Sequence, residues 1–237
     1  MSDAMWKKME PIVFPPMPLP KDRKRGPEVF LCYDQEELNT VYNQACYANN
    51  QAQVQQRQTI HSEEVRSRLG PPRRVAYGKG SMEHLDIYAA SGKGSATVVF
   101  IHGGAWREGL AKDFAFPAEL FVRLGVNYVV PDFNNVLDTG GDLTPMAKQV
   151  RSAIAWTISN ASSFGGDPNR VYVIGHSAGA HLAGAVLASD WEKSGFLGDG
   201  LGLGQGAVRG ALLACGMYDL KGPRLSSRSS YVNFTDA

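Results

Sequence analysis

Four short runs in this chain carry almost no polar alternation: Thr97-Val98-Val99-Phe100-Ile101, Asn127-Tyr128-Val129-Val130, Arg170-Val171-Tyr172-Val173-Ile174 and Ala211-Leu212-Leu213-Ala214-Cys215. A strand of this kind must be covered on both faces, which is the condition of a parallel sheet between helical layers. Helical patterns lie between the runs, over about 114–124, over 144–160 with Met146, Ala147, Val150, Ile154 and Ile158 on one side, and over about 178–191. Strands alternating with helices predict an α/β chain with a mostly parallel sheet and helices on both faces. Val75-Ala76-Tyr77 and His84-Leu85-Asp86-Ile87-Tyr88 read as shorter strands around the turn Gly78-Lys79-Gly80, and there is no internal repeat.

Upstream the texture differs. The first thirty residues hold six of the thirteen prolines, so residues 1–33 are expected to be a Pro-rich surface arm rather than a helix. Its run Lys21-Asp22-Arg23-Lys24-Arg25 reads as a solvated turn. Residues 34–72 read as a helical segment. Asp34 offers an N-cap with Glu37 as capping-box partner, and Leu38, Val41, Tyr42 and Ala45 follow at helical spacing. The pattern predicts one helix over about 34–57 and a second over 61–69, ending before Gly70-Pro71-Pro72. Residues 73–237 would then be the N-terminal part of the α/β core.

Composition narrows the partners. With 24 basic and 23 acidic side chains, a formal charge of +1 gives no electrostatic reason to expect nucleic acid. No apolar stretch is long enough to span a bilayer and no signal-peptide core is present, so no membrane partner and a cytoplasmic address are expected. Cys32, Cys46 and Cys215 are odd in number and widely spaced, which predicts buried thiols in a reducing compartment. The glycine-dense stretch 195–210 includes Gly202-Leu203-Gly204-Gln205-Gly206, but it follows no strand and reads as a flexible loop, not a phosphate site.

The strongest chemical signal is Gly175-His176-Ser177-Ala178-Gly179, directly between a predicted strand and a predicted helix. At such a junction the serine sits on a strained turn that exposes its hydroxyl, and the two glycines remove Cβ atoms that would clash. The helix N-terminus that follows points its free N–H groups toward the same oxygen. The second signal is His102-Gly103-Gly104-Ala105-Trp106, at the end of the run Thr97–Ile101. Attack by Ser177 on a carbonyl creates an oxyanion that needs N–H donors about 3 Å away. Gly103 and Gly104 can turn their backbone N–H groups inward, and the N–H of Ala178 would be a third donor.

These strings resemble the α/β-hydrolase superfamily, in its esterase and lipase branch with an HGG oxyanion motif, and within it kynurenine formamidase (arylformamidase). The likeness covers about residues 34–221, including Tyr42-Asn43-Gln44-Ala45, Ala188-Ser189-Asp190-Trp191 and Gly216-Met217-Tyr218-Asp219-Leu220. It implies a serine hydrolase with a Ser-Asp-His triad and no metal or cofactor, cleaving an N-formyl arylamine or an ester through an acyl-enzyme on Ser177. In that reading His102 supports the oxyanion loop, while Trp106, His102 and His176 belong to the substrate pocket. A broad carboxylesterase or amidase of the same fold, or a binding protein that keeps the fold without catalysis, stays open.

The chain order of such a triad is nucleophile, acid, histidine. None of His61, His84, His102, His176 and His181 follows the nucleophile in the required place, Asp219 comes one strand early, and Asp236 has no strand before it. The expectation is therefore an α/β-hydrolase fold lacking its C-terminal strands in this chain. The acid and base would lie on a C-terminal fragment or separate chain that completes the fold. Homo-oligomerisation stays an open alternative.

Overall fold

The computed structural model of the chain describes residues 17–189 and 207–234. A two-stranded antiparallel ribbon, β1 (Glu28–Phe30) and β2 (Tyr33–Asp34), leads into helix α1 (Gln35–Val41). Asp34 caps that helix as its sequence predicts: its carboxylate accepts the Glu37 N–H, and the Glu37 carboxylate accepts the Asp34 N–H, each at 3.0 Å. The predicted single helix over 34–57 is in fact broken. Asn43 is extended, Gln44–Cys46 makes one tight turn, and α2 runs unbroken over Gln51–Leu69, so that no separate helix starts at 61. Asn43, Asn49 and Asn50 explain the break, because short amide side chains compete for backbone partners and favour turns over helix interiors. The end of α2 is as predicted: Gly70 takes a left-handed φ of 84° and prolines follow.

Six strands form one sheet in the order β3 (Arg73–Ala76), β4 (His84–Tyr88), β6 (Asn127–Pro131), β5 (Ser95–Ile101), β7 (Gly166–His176) and β8 (Gly210–Ala214). From β6 to β8 all neighbours are parallel, while β3 and β4 add an antiparallel edge. The apolar runs are strands as predicted, but only β5 and β6 are buried from both sides; β7 leaves Tyr172 partly exposed and β8, at the sheet edge, exposes Leu212. In β5, Val99 and Ile101 join a core with Met146, Val150, Ile154 and Ile158 of α4 (Thr144–Asn160) and Leu182 and Val186 of α5 (Ala178–Ala188). Val98 of the same strand points into a second core with Val65 of α2 and Ala118 of α3 (Ala118–Arg123). Alternate side chains of one strand thus serve two cores, and the sequence shows no polar face because neither face meets water.

The helix predicted over 114–124 is shorter, a tight turn at Ala111–Phe114 followed by α3, with Pro117 at the boundary. Arg23 is no solvated side chain either. It pairs with Asp34 at 2.7 Å and Glu37 at 2.8 Å, and that guanidinium, followed by the Glu37 N–H, holds the Asp34 carboxyl far below the usual range. The three cysteines are free but exposed, contrary to expectation. They sit in turns and at strand ends: Cys32 between β1 and β2, Cys46 in the turn after α1, and Cys215 just past β8. The end of the predicted helix over 178–191 beyond Ser189, the glycine-dense stretch up to Gly206, the arm up to Pro16 and Asp236 lie outside the described residues. Among the described residues no helix is long and apolar enough to cross a membrane.

Candidate active site

Ser177 sits at the junction of β7 and α5 with φ 54° and ψ −122°, a backbone conformation that non-glycine residues rarely adopt. Its neighbours permit the turn. A Cβ at Gly175 would lie 2.6 Å from the Ala180 Cα, and one at Gly179 would overlap the carbonyl oxygens of Ile101 and His102. The turn is pinned from both sides, with the Ser177 N–H donating to Ala214 O of β8 at 2.8 Å and the Ser177 carbonyl accepting from His181 N at 3.1 Å. Ala178, the first residue of α5, is buried.

The loop after β5 is folded against this turn. Gly103 is buried beside it: a Cβ there would stand 3.0 Å from the His176 carbonyl and 3.1 Å from the Ser177 Cβ. Gly104 has φ 127°, and a Cβ would overlap the Glu108 carbonyl, so this glycine is required by close backbone approach, while a side chain at Gly103 would press its neighbours apart by a few tenths of an ångström. Ala105 and Trp106 follow with φ of 53° and 62°. Strain at two consecutive residues persists only where surrounding contacts enforce it. Here Val136 N donates to Trp106 O at 2.7 Å, and Arg107 N donates to Gly104 O at 2.9 Å.

His102 is buried beneath the loop, with Phe133 stacked on its ring at 4.4 Å and Phe114 at 4.9 Å. Its Nδ1 lies 2.9 Å from Gly103 O; a carbonyl only accepts, so Nδ1 carries the proton and Nε2 is left as an acceptor. Burial pushes the His102 pKa down, keeping the ring neutral. Trp106 is buried, with the edge of His181 5.4 Å away. A small cavity with room for little more than one water lies between Gly103, Trp106, Phe133, Met146, Ala178 and Leu182. His102 also lines it, and His102 Nε2 and Trp106 Nε1 are both buried without a partner.

The sequence-predicted residues Ser177, Gly103, Gly104, Ala178, His102 and Trp106 therefore come together at the ends of β5 and β7. His176 does not line the cavity, but its exposed ring lies beside the glycine loop: a Cβ on Gly103 would stand 3.2 Å from the His176 Nδ1. No histidine or carboxylate among the described residues bonds the Ser177 hydroxyl. His84 faces Ser81 O, His181 is buried in α5, and the exposed Asp219 accepts from Lys221 N. No cluster among the described residues could hold a metal ion.

Two contributors escaped the sequence reading. Asp132, just past β6, accepts Ala111 N at 2.6 Å and Arg74 at 2.6 Å, and so ties the chain beyond the glycine loop to the sheet. Its place at the C-terminal end of a parallel strand was the available signal. Arg228 reaches the ring of Trp106 from the far end of the chain, and nothing local in the sequence marks it.

A family model described as BD-FAE matches residues 85–196. Kynurenine formamidases of Salmo salar and Danio rerio are 32% and 34% identical over 161 residues, 67% of this chain and 49% of each relative. An isoprenylcysteine alpha-carbonyl methylesterase of Arabidopsis thaliana is 33% identical over 126 residues, 51% of this chain and 28% of that protein. The chain spans about half the length of the formamidases it matches. Among solved structures, a protein of Silicibacter sp. described as a thioesterase superposes with a TM-score of 0.68 at 21% identity, over 84% of this chain and 71% of its own. The sheet order, the strained serine turn and these likenesses agree: the chain has an α/β-hydrolase fold and is similar to esterases and kynurenine formamidases.

Proposed function

We propose that Ser177 is the nucleophile of an amide or ester hydrolase, with N-formyl arylamines as the first substrate class and carboxylic esters as the second. The observation that carries this reading is the contact between the glycine loop and the serine turn, with Gly103 against Ser177. The serine oxygen adds to the carbonyl carbon, and the backbone N–H groups of Gly103, Gly104 and Ala178 receive the charge on the carbonyl oxygen. Collapse expels the amine with a proton and leaves an acyl group on Ser177; water then releases the acid. The small cavity beside Gly103 and Ala178 favours a formyl or similarly short acyl group over a long one.

A serine hydroxyl needs a proton acceptor, and we place the histidine and its acid outside the described residues. Support comes from β8, the last strand in the sheet order, which has no neighbour on its outer side among the described residues and exposes Leu212. A further strand pairing there, on a completing fragment or chain, would extend the sheet beside the Ser177 turn. The test is fluorophosphonate labelling and hydrolysis of an aryl formamide, by the 237-residue chain alone and with a completing segment. The expected result is activity only in the completed protein, lost in Ser177→Ala. Undiminished turnover by completed Ser177→Ala protein would overturn the reading.

A further inference from the structure

The strained loop after β5 is clamped by a segment more than a hundred residues further along the chain. Residues 227–234 follow α6 (Lys221–Leu225), and Val232 anchors them in the core that also holds Trp106 and Ala178. From there the segment meets two successive residues of the loop. The Phe234 ring stands edge-on to Trp106 with the centroids 6.4 Å apart. The Arg107 guanidinium carbon lies 4.3 Å from the centroid of the Tyr231 ring, well within the range of cation–π attraction.

Two routes carry this clamp to the loop backbone. In the first, Asn233 N donates to Gly141 O at 2.9 Å, Gly141 N to Val136 O at 2.8 Å and Val136 N to Trp106 O at 2.7 Å. In the second, the Tyr231 ring holds Arg107, whose backbone N–H donates to Gly104 O at 2.9 Å. The ring is itself fixed: the Tyr231 hydroxyl accepts from Arg228 at 2.7 Å, and Arg228 donates onward to Tyr42 O at 3.0 Å. Arg107 is exposed, and among the described residues its side chain makes no ion pair, so the ring is what holds it in place. Ala105 and Trp106, at φ of 53° and 62°, keep those values only under enforcement from outside the loop. Once released, they would carry the Gly104 turn with them, and oxyanion donors act only at short range.

We propose that Tyr231 is a positioning residue for the oxyanion loop, its ring holding Arg107 and, through Arg107, the turn that presents Gly103 and Gly104 to Ser177. The proposal rests on the hydrolase reading of Ser177, and its first test needs no turnover. Backbone hydrogen exchange over residues 103–108 is measured by mass spectrometry in the 237-residue chain, with residues 144–160 of α4 as the internal reference. Arg107→Gln, a change at an exposed side chain, is expected to speed exchange of the loop by about 2- to 5-fold and leave α4 unchanged. Tyr231→Leu is expected to do at least as much, while Tyr231→Phe, which keeps the ring, stays within about 2-fold of wild type. Unchanged loop exchange in Arg107→Gln overturns the proposal. The second test is the rate of fluorophosphonate labelling in completed protein. Arg107→Gln and Tyr231→Leu are expected to slow it, and the double variant to be no slower than Tyr231→Leu alone, because the two residues act through one contact. Multiplying effects, or an unchanged rate in both single variants, overturn the positioning role. Absence of labelling in completed wild-type protein removes the hydrolase reading, and the exchange data then decide by themselves whether Tyr231 holds the loop.

Discussion

Gly103 and Ser177 stand at a separation that leaves no space for a side chain, since a Cβ on Gly103 would lie 3.1 Å from the serine Cβ. The loop that would hold the oxyanion and the turn that presents the nucleophile are thus one packed unit. Gly103→Ala must push them apart by a few tenths of an ångström. In completed protein that reacts with a fluorophosphonate, this variant is expected to label at Ser177 at least about 10-fold more slowly, because oxyanion donors act only at short range. An unchanged labelling rate would show that the contact is not used.

The Ser177 backbone holds strain that glycine does not feel. Ser177→Gly is expected to raise the free energy of urea unfolding by about 1–2 kcal/mol, whereas Ser177→Ala, which keeps a Cβ at the same positive φ, is expected to leave it near wild type. Equal stabilities of the two variants would remove the strain argument.

Gly179 inverts the usual helix rule. Alanine in a helix interior is ordinarily favoured over glycine by about 1 kcal/mol. Here its Cβ would overlap two carbonyl oxygens of the neighbouring strand end. Gly179→Ala is therefore expected to destabilise by at least about 2 kcal/mol in the same urea assay.

Arg74 bridges Asp86 at 2.7 Å and Asp132 at 2.6 Å, and both carboxylates are buried. Arg74→Met leaves them without their cation, at an expected cost of about 2 kcal/mol at pH 7, moderated by the half-exposed guanidinium. Burial already pushes the Asp86 pKa up against the pull of Arg74, and the substitution pushes it further. The folded variant then holds protons more tightly than the unfolded chain, so its deficit should shrink as pH falls. Unfolding curves at several pH values would reveal a constant deficit if the carboxylates were not responsible.

Burial lowers the pKa of both His102 and His181. A folded state that keeps them neutral is fully favoured above the unfolded-state value of about 6.5. As pH falls below that value the unfolded chain takes up protons first, and stability is lost until the folded-state pKa values are passed. The unfolding free energy is expected to fall from pH 7 to pH 5, by at most about 1.4 kcal/mol per pH unit for each histidine, and the melting temperature with it. His181→Gln should flatten the dependence, and an identical slope in that variant would assign it elsewhere.

The sequence by itself determined the layers and the reactive turn. The apolar runs of β5 and β6 mark strands buried on both faces, while the run of β8 forms an edge strand that leaves Leu212 exposed, and the glycines around Ser177 and after His102 mark backbone that must bend and approach closely. Both signals are local, because steric limits on the backbone act between near neighbours. The break at Asn43 was missed because helical spacing of Leu38, Val41 and Tyr42 outweighed single turn-forming residues. The exposure of the three cysteines was decided by where the turns fall, not by their number. Only the tertiary structure brought Arg228 to Tyr42 and Trp106, and Arg74 to Asp86 and Asp132. Such pairings join residues far apart in the chain, and the desolvation that gives a buried charge its importance exists only once the layers have closed around it.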